Sequence, residues 1–480
     1  MIADRLSPSS EYRWHWSALA LVAAAGMGGA IALADFNALY LCVSLIGCAF
    51  ILYDFRIGVV LLIVLMPVSG GAVFPHEILG VKGLNPFNLL LVATFGAWLL
   101  HALTAGGWQR FVPAPLAALY IAPMLVAGAI GVRHVDAIVP AFYMYDMLHF
   151  DNGAGYLRDL VAKPLLMVLY ALLVAAAVAR SERPERFFAP IVLSIWVMSA
   201  MAIVFVAMRG AALEELAAST SRQFLSPLGM HANELGRLYA VAYAMLLFMR
   251  AGSRHFGLRV LLLASMAMVV VALVLTFSRS AFVGLALVNV LFLLWRPSAR
   301  RVVFFLLLAA GALLLPEAVF ERIGYGFDRG ADAVSAGRIE GLWLPLLPEV
   351  LRNPVVGNGI GSILWSDAMR RGGGTTVLGT THPHNAYLQA LLDMGIVGLA
   401  ALLAYFAHVW RGLRALYNDA SLPPALRGFY EGAAVGLLGF LITAIADSSL
   451  LPKPEQSFLW LAIGMMYGQS RRRAQAQGQG

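Results

Sequence analysis

Apolar runs of membrane-crossing length, separated by short polar breaks, fill most of the chain. A hydrocarbon layer about 30 Å thick takes roughly 20 helical residues, fewer where protein flanks the run. Runs that meet this expectation lie at 17–34, 38–53, 57–74, 86–103, 113–131, 159–180, 187–208, 233–249, 259–277, 281–295, 302–316, 385–410, 428–450 and 455–468. The run at 57–74 is broken by Pro67 and by Gly70 and Gly71, and the last is short, so roughly 12–14 transmembrane helices are expected. The pattern predicts an all-α, polytopic integral membrane protein. Its expected parts are a tail over 1–16, a helix bundle over 17–316, one large loop over 317–384, further helices over 385–468 and a tail over 469–480.

Residues 259–295 are interrupted only by Ser278-Arg279-Ser280. As one helix they would run about 55 Å, nearly twice the hydrocarbon thickness, so the chain must turn back near Arg279. The two serines can cap the helix ends there. In the large loop, Glu340 to Leu351 has helical apolar spacing, which predicts a helix lying along the membrane interface with Trp343 at headgroup level. Gly357-Asn358-Gly359-Ile360-Gly361 reads as a turn, or as a nest of backbone N–H groups for phosphate.

Composition sharpens the class. The chain is 60% hydrophobic and 12% charged, against roughly 25% charged in soluble domains, which excludes a soluble globular protein. A net charge of +8 would suggest nucleic acid in a soluble chain, but here the basic residues fall in short loops, as the positive-inside rule requires. Arg56, Arg110, Arg180, Arg183, Arg186, Arg250, Arg254, Arg259, Arg296, Arg300, Arg301, Arg411, Arg414, Arg427 and Arg471-Arg472-Arg473 then lie in the cytoplasm with both termini. The loops at 75–85, 132–158, 209–232 and 317–384 fall on the other side. Arg5 and Arg13 before Ala32-Leu33-Ala34 resemble a signal peptide, but an uncleaved first helix fits the long series of spans better. Cys42 and Cys48 are about 9 Å apart along one helix, too far to pair, and serve packing.

Candidate chemistry concentrates where the large loop re-enters the membrane, at Thr381-His382-Pro383-His384-Asn385. His384 fits a general base, since imidazole titrates near neutrality; the other reading is an interfacial histidine that merely caps the following helix. His382 and His384 lack a nearby carboxylate or cysteine, so no metal is expected. Six arginines, Arg322, Arg329, Arg338, Arg352, Arg370 and Arg371, make the loop basic. Arg338 and Arg279 suit a pyrophosphate clamp, because guanidinium binds phosphate oxygens bidentately; snorkelling to lipid headgroups is the other reading. Further candidates for substrate contact are Asn385, His382, Asn233, Arg237 and Lys163. Asp393 and Asp447 are acids in or near spans, where charge is expensive. Tyr143, Tyr145, His149 and Asp151 in the loop at 132–158 suit sugar stacking.

Three stretches in order carry a resemblance: Thr-Phe-Ser-Arg-Ser-Ala at 276–281, Gly337-Arg338 followed by Trp343 and the glycine turn at 353–362, and His-Asn-Ala-Tyr-Leu-Gln at 384–389 before Gly395-Ile396-Val397-Gly398. Over about residues 225–410 the chain resembles the O-antigen ligase and O-antigen polymerase superfamily. The resemblance implies a helical fold like that of other lipid-linked glycosyltransferases. It also implies metal-independent, inverting transfer of a glycan from undecaprenyl pyrophosphate to an acceptor hydroxyl, without a cofactor, at the periplasmic face of the bacterial inner membrane. On this resemblance His384 is the base that deprotonates the acceptor, and Arg279 and Arg338 hold the pyrophosphate. The rivals are a multi-span transporter, which would show repeated broken helices, and a non-catalytic subunit of a polysaccharide export machine.

Overall fold

The computed structural model describes residues 36–71, 77–78, 81–82, 85–104, 111–210, 215, 225–312, 317–324, 327–371, 380–446 and 449–478. The expected tail over 1–16, the first expected span at 17–34, Arg110 and Asp447 lie outside the described residues. The chain is an all-α polytopic membrane protein. Among the described residues the exception is a two-residue antiparallel ladder, Glu77–Ile78 on Val81–Lys82.

Contacts divide the chain into two units, Met1–Gln109 and Arg110–Gly480. The first contains α1 (Phe36–Tyr53), α2 (Phe55–Leu65) and α3 (Pro86–Thr104), with α1 and α2 both packed on α3. Asp54 separates α1 from α2 and caps the latter by accepting from Arg56 N. The second holds α4 (Ala114–Ala137), α5 (Gly153–Ala179), α6 (Pro184–Arg209), α7 (Ala232–Gly252), α8 (Phe256–Val274), α9 (Arg279–Trp295), α10 (Ala299–Ala312), α11 (Ala386–Tyr417), α12 (Pro424–Thr443) and α13 (Ser457–Gly478).

Seven of these, α3, α4, α5, α6, α8, α11 and α12, are long and apolar enough to cross a membrane, and α9 and the helices in 42–68 are shorter apolar helices. Every other expected span within the described residues falls on a helix that is shorter or more charged. Thus α7 carries Glu234, Arg237 and Arg250 within its length, and α13 continues through most of the expected tail at 469–480.

The core of the second unit is α7 against α12 and α13 against α5. Lipid offers little hydrophobic drive for helices to associate, so close packing by small residues does the work. Gly428 and Gly432 of α12 lie flat on α7: a Cβ there would stand 2.4 Å from the Phe248 carbonyl oxygen and 2.5 Å from that of Ala244. Gly464 and Gly468 of α13 meet the carbonyls of Ala171 and Ala175 on α5 in the same way.

The two ends of this bundle differ. At the start of α12, Arg296 Nε donates to Glu431 at 3.0 Å and Arg427 Nε to the Tyr417 carbonyl at 3.0 Å. Arg471 and Arg472 reach the carbonyls of Phe111 and Glu182, and Arg473 pairs with Asp419. The other end of α12 lies about 30 Å away by helical rise, and there the large loop gathers.

The loop is itself folded. Short helices Glu317–Gly324, Ala331–Val334, Leu344–Arg352 and Asp367–Arg371 succeed one another, and the helix expected over 340–351 is present, opened by a wide turn at Ile339–Trp343. With residues 132–160 the loop encloses a core that includes Phe142, Tyr156, Leu342, Leu346, Trp365 and Leu392. His134 stacks on Trp365, centroids 5.4 Å apart.

Helix α11 is broken at Gly395, which takes φ 63°, ψ −169°. The glycine turn fills that break. Asn358 N and Gly359 N donate to the carbonyls of Leu392 and Asp393, and Ile396 N and Val397 N donate to those of Pro354 and Val355. Gly357 and Gly359 have φ of 76° and 95°, and a Cβ on either would lie 2.4 Å from backbone of residue 393 or 131. Ile360 N goes to the Ala127 carbonyl, and Ser362 donates through N and Oγ to Asp393 Oδ1. These amides are therefore committed within the protein. The turn is a plug for a broken helix, which excludes the phosphate-nest reading of these N–H groups.

Candidate functional site

Three sequence-remote segments meet at residues 443–446, where α12 ends. Ala386 N, at the start of α11, donates to the Ala444 carbonyl at 3.0 Å. Arg338 Nη1 donates to the Ala446 carbonyl. Thr443 lines a narrow cleft with Ser280, the residue after Arg279, and with Arg237. The end of α12 thus draws together the stretches that carry His384, Arg338 and Arg279.

His384 sits in the last turn before α11. Asn385 is the N-cap: its Oδ1 accepts from Tyr387 N and Leu388 N, both at 3.1 Å, leaving the cap to asparagine and the imidazole to other work. His384 has φ 51°, the left-handed region that side chains with a Cβ avoid. Two contacts hold this turn. Trp343 Nε1 donates to the Pro383 carbonyl at 2.8 Å, and His384 Nε2 lies 3.1 Å from Thr380 Oγ1. Thr380 Oγ1 also donates to the His382 carbonyl at 3.0 Å. A hydroxyl has one proton and a carbonyl can only accept, so with that bond made Nε2–H donates to Thr380 and the lone pair lies on Nδ1. His382 packs on His384 with centroids 4.2 Å apart.

Arg338 opens the loop helix after a turn in which Ala336 and Gly337 both take positive φ, 62° and 77°. Ser335 Oγ accepts from Arg338 N at 3.1 Å and fixes the turn. Arg279 is the first residue of α9, after Phe277 at φ 48°. Phe277 is buried and anchors the reversal. Ser278 stands at the N-cap position, but the expected serine cap is not made; its hydroxyl donates instead to Oδ1 of buried Asn233 at 2.9 Å.

Other sequence candidates are held by acidic or polar neighbours. Arg237 is 4% exposed and faces Glu455 at 3.5 Å. Glu234 closes a capping box with His231. Lys163 reaches Asp159 of its own helix at 2.7 Å. Three of the loop's six arginines have acidic partners: Arg352 pairs with Glu349 at 3.0 Å and with Asp367, Arg370 with Asp367 at 3.9 Å, and Arg329 with Asp328 at 3.5 Å. The Arg352 guanidinium, with Arg370 and Arg371, holds the Asp367 carboxyl below its ordinary range. The basic field expected from six arginines is thus partly offset within the loop. Thr380 and the indole of Trp343 were not among the sequence candidates for this site; their signals, a hydroxyl four residues before a histidine and a tryptophan five after an arginine, are too common to point anywhere alone.

The fold and this site define a polytopic membrane protein with a folded loop closing on the end of its bundle. Residues 263–403 match the model of the O-antigen ligase family, and the match supports the O-antigen ligase and polymerase superfamily. That stretch runs from α8 into α11 and contains Arg279, Arg338 and His384. No curated protein matches the chain.

Proposed function

We propose that the chain transfers a glycan from undecaprenyl pyrophosphate to an acceptor hydroxyl in envelope polysaccharide biosynthesis. The family match supports the coarser part, glycan transfer in polysaccharide biosynthesis. In this reading Nδ1 of His384 takes the acceptor proton, the acceptor oxygen attacks the sugar's anomeric carbon from the face opposite the leaving group, and the pyrophosphate departs. Arg279 and Arg338 neutralise the charge that develops on it, in a partly dry site where fixed donors act strongly. Asn385 and His382 line the acceptor side, and no metal or cofactor is assigned a role. Asn233 holds Ser278, the residue before Arg279, and Arg237 lines the cleft with Ser280, the residue after it, so both stand with Lys163 as the remaining residues offered to substrate.

The observation that carries the proposal is backbone strain. Among the described residues, the non-glycine positions with positive φ are Asp146, Phe277, Ala336 and His384. All but Asp146 are His384 itself or stand two residues before Arg279 or Arg338. Left-handed backbone at such residues persists only where the surroundings impose it, and it gathers at functional sites.

The site faces the periplasm of a bacterial inner membrane in this proposal, with both termini cytoplasmic, because the arginines of short loops collect at the opposite end. The broken helix does not favour a transporter: its open carbonyls at Leu392 and Asp393 are already taken by Asn358 and Gly359 and offer nothing to an ion. The test is purified protein supplied with undecaprenyl-pyrophosphate glycan and candidate acceptors, beside His384→Ala. Transfer by wild type and its collapse in the variant are expected. Undiminished transfer by the variant removes the mechanism.

A further inference from the structure

The outer face of the loop helix Leu344–Arg352 has the wrong polarity for water. A helix facing water turns its leucines inward and its carboxylate outward. Here Glu349 is 4% exposed and accepts from Asp367 N at 2.8 Å and Ala368 N at 3.3 Å. Leu346 fills the inner side, while Leu344, Leu347 and Leu351 form an outer ridge, Leu351 being 75% exposed. The ridge resumes at exposed Val355 and Val356. Backbone bonds from Ile396 N to Pro354 and from Val397 N to Val355 join it to two further outward side chains, Ile396 and Val397.

Those last residues belong to α11, which is long and apolar enough to cross the membrane. The first arginine beyond the break is Arg411. Counting roughly 20 residues back from it reaches Leu391, which sets the hydrocarbon boundary there and Gly395 about one turn inside it. Non-helical backbone is tolerated at that depth only where protein satisfies it, and residues 354–359 do so. Pro354 and Val355, bonded to Ile396 and Val397, stand at the same depth, with Val356 next along the chain.

We infer that residues 344–356 form a membrane-seated wedge that does not span. Leu347, Leu351, Val355 and Val356 contact the acyl chains of the leaflet on the His384 side. Past exposed Arg352 and Asn353, which end the helix, the apolar surface resumes at Val355 and Val356 and joins the outward side of α11, which is what assigns acyl chains as its occupant. The wedge fixes the height of the site, because Arg338 and Trp343 lead directly into this helix. It rests on the membrane class of the chain and not on the glycan-transfer reading.

The test places single cysteines at Leu347, Leu351 and Val356 in the full chain with Cys42 and Cys48 replaced by serine, and at exposed Asp328 as a water-facing reference. Each is labelled with an environment-sensitive fluorophore in phosphatidylcholine nanodiscs and quenched with iodide or with lipid carrying a nitroxide on its acyl chain. The wedge predicts several-fold stronger quenching by the lipid nitroxide than by iodide at Leu351 and Val356, with the order reversed at Asp328. Iodide quenching at the ridge equal to that at Asp328 overturns it. So does protection from both quenchers, which would mean that protein covers the ridge. Leu347 gives a second reading of the helix if the label at Leu351 impairs folding.

Discussion

Two stretches of the large loop reach α11, and they are built on opposite terms. Residues 353–362 give their backbone amides to the broken helix and to α4, using glycines at φ 76°, 95° and 77° to bring main chain against main chain. Residues 380–385 make few backbone bonds and instead hold side chains: an imidazole set by Thr380, an asparagine at the helix cap, a proline carbonyl tied to Trp343. The first stretch is a joint and the second an instrument. A glycine-rich sequence beside a basic loop invites a phosphate-binding reading; tracing its N–H groups shows that they are already used.

This contrast can be broken by substitutions that separate rate from stability. The largest effect on turnover is expected from His384→Ala, a fall of about 100- to 10,000-fold in transfer, since that is what general-base help supplies; the melting temperature should stay near that of wild type. Next, Arg338→Lys keeps the charge but loses the fork, and a loss of about 100- to 1000-fold in rate is expected if it serves the leaving group. Unchanged kinetics would leave Arg338 a mere tie to Ala446.

Gly357→Ala should show the converse. A Cβ placed 2.4 Å from the Asp393 carbonyl carbon, at φ 76°, forces the plug off α11, and left-handed backbone alone costs about 1–2 kcal/mol with a side chain. A lower melting temperature is expected, with residual folded protein turning over normally; loss of rate without loss of stability would put the turn in the chemistry after all. Thr380→Val removes the hydroxyl's bonds to the His382 carbonyl and to His384 Nε2; the latter, worth about 1 kcal/mol, sets the tautomer, so a five- to tenfold loss of rate is expected.

The smallest effect concerns pH. Asp367 is held below its ordinary range by Arg352, so its share of loop stability is full above the ordinary carboxylate value and is lost as pH falls through the lowered one. Hydrogen exchange at Asp367–Arg371 should quicken only in acid, below about pH 4, and Arg352→Gln should move that onset upward.

Much of the fold was legible because lipid is an unforgiving solvent. Runs of apolar residues announce helices, and the length of 259–295 required the turn that the structure makes at 275–278. His384, Arg338 and Arg279 were legible as chemistry-bearing types, and the structure brings the stretches that carry them to the end of α12. The break at Gly395 was not, since one glycine in an apolar run has no period to betray it and its partner lies in a loop some 40 residues earlier. Nor was the convergence on 443–446, because the acceptors there are main-chain carbonyls of Ala444 and Ala446, which every residue possesses. Nor was the burial of Arg237 and Asn233, candidates for substrate contact that face Glu455 and Ser278.

The most direct test of the division of labour is binding without turnover. Affinity for undecaprenyl pyrophosphate should be measured for wild type, Arg279→Lys, Arg338→Lys and His384→Ala. The account predicts weakened binding in both arginine variants and wild-type affinity in His384→Ala, whose transfer has nonetheless collapsed. Wild-type affinity in both arginine variants, or lost affinity in His384→Ala alone, would contradict it.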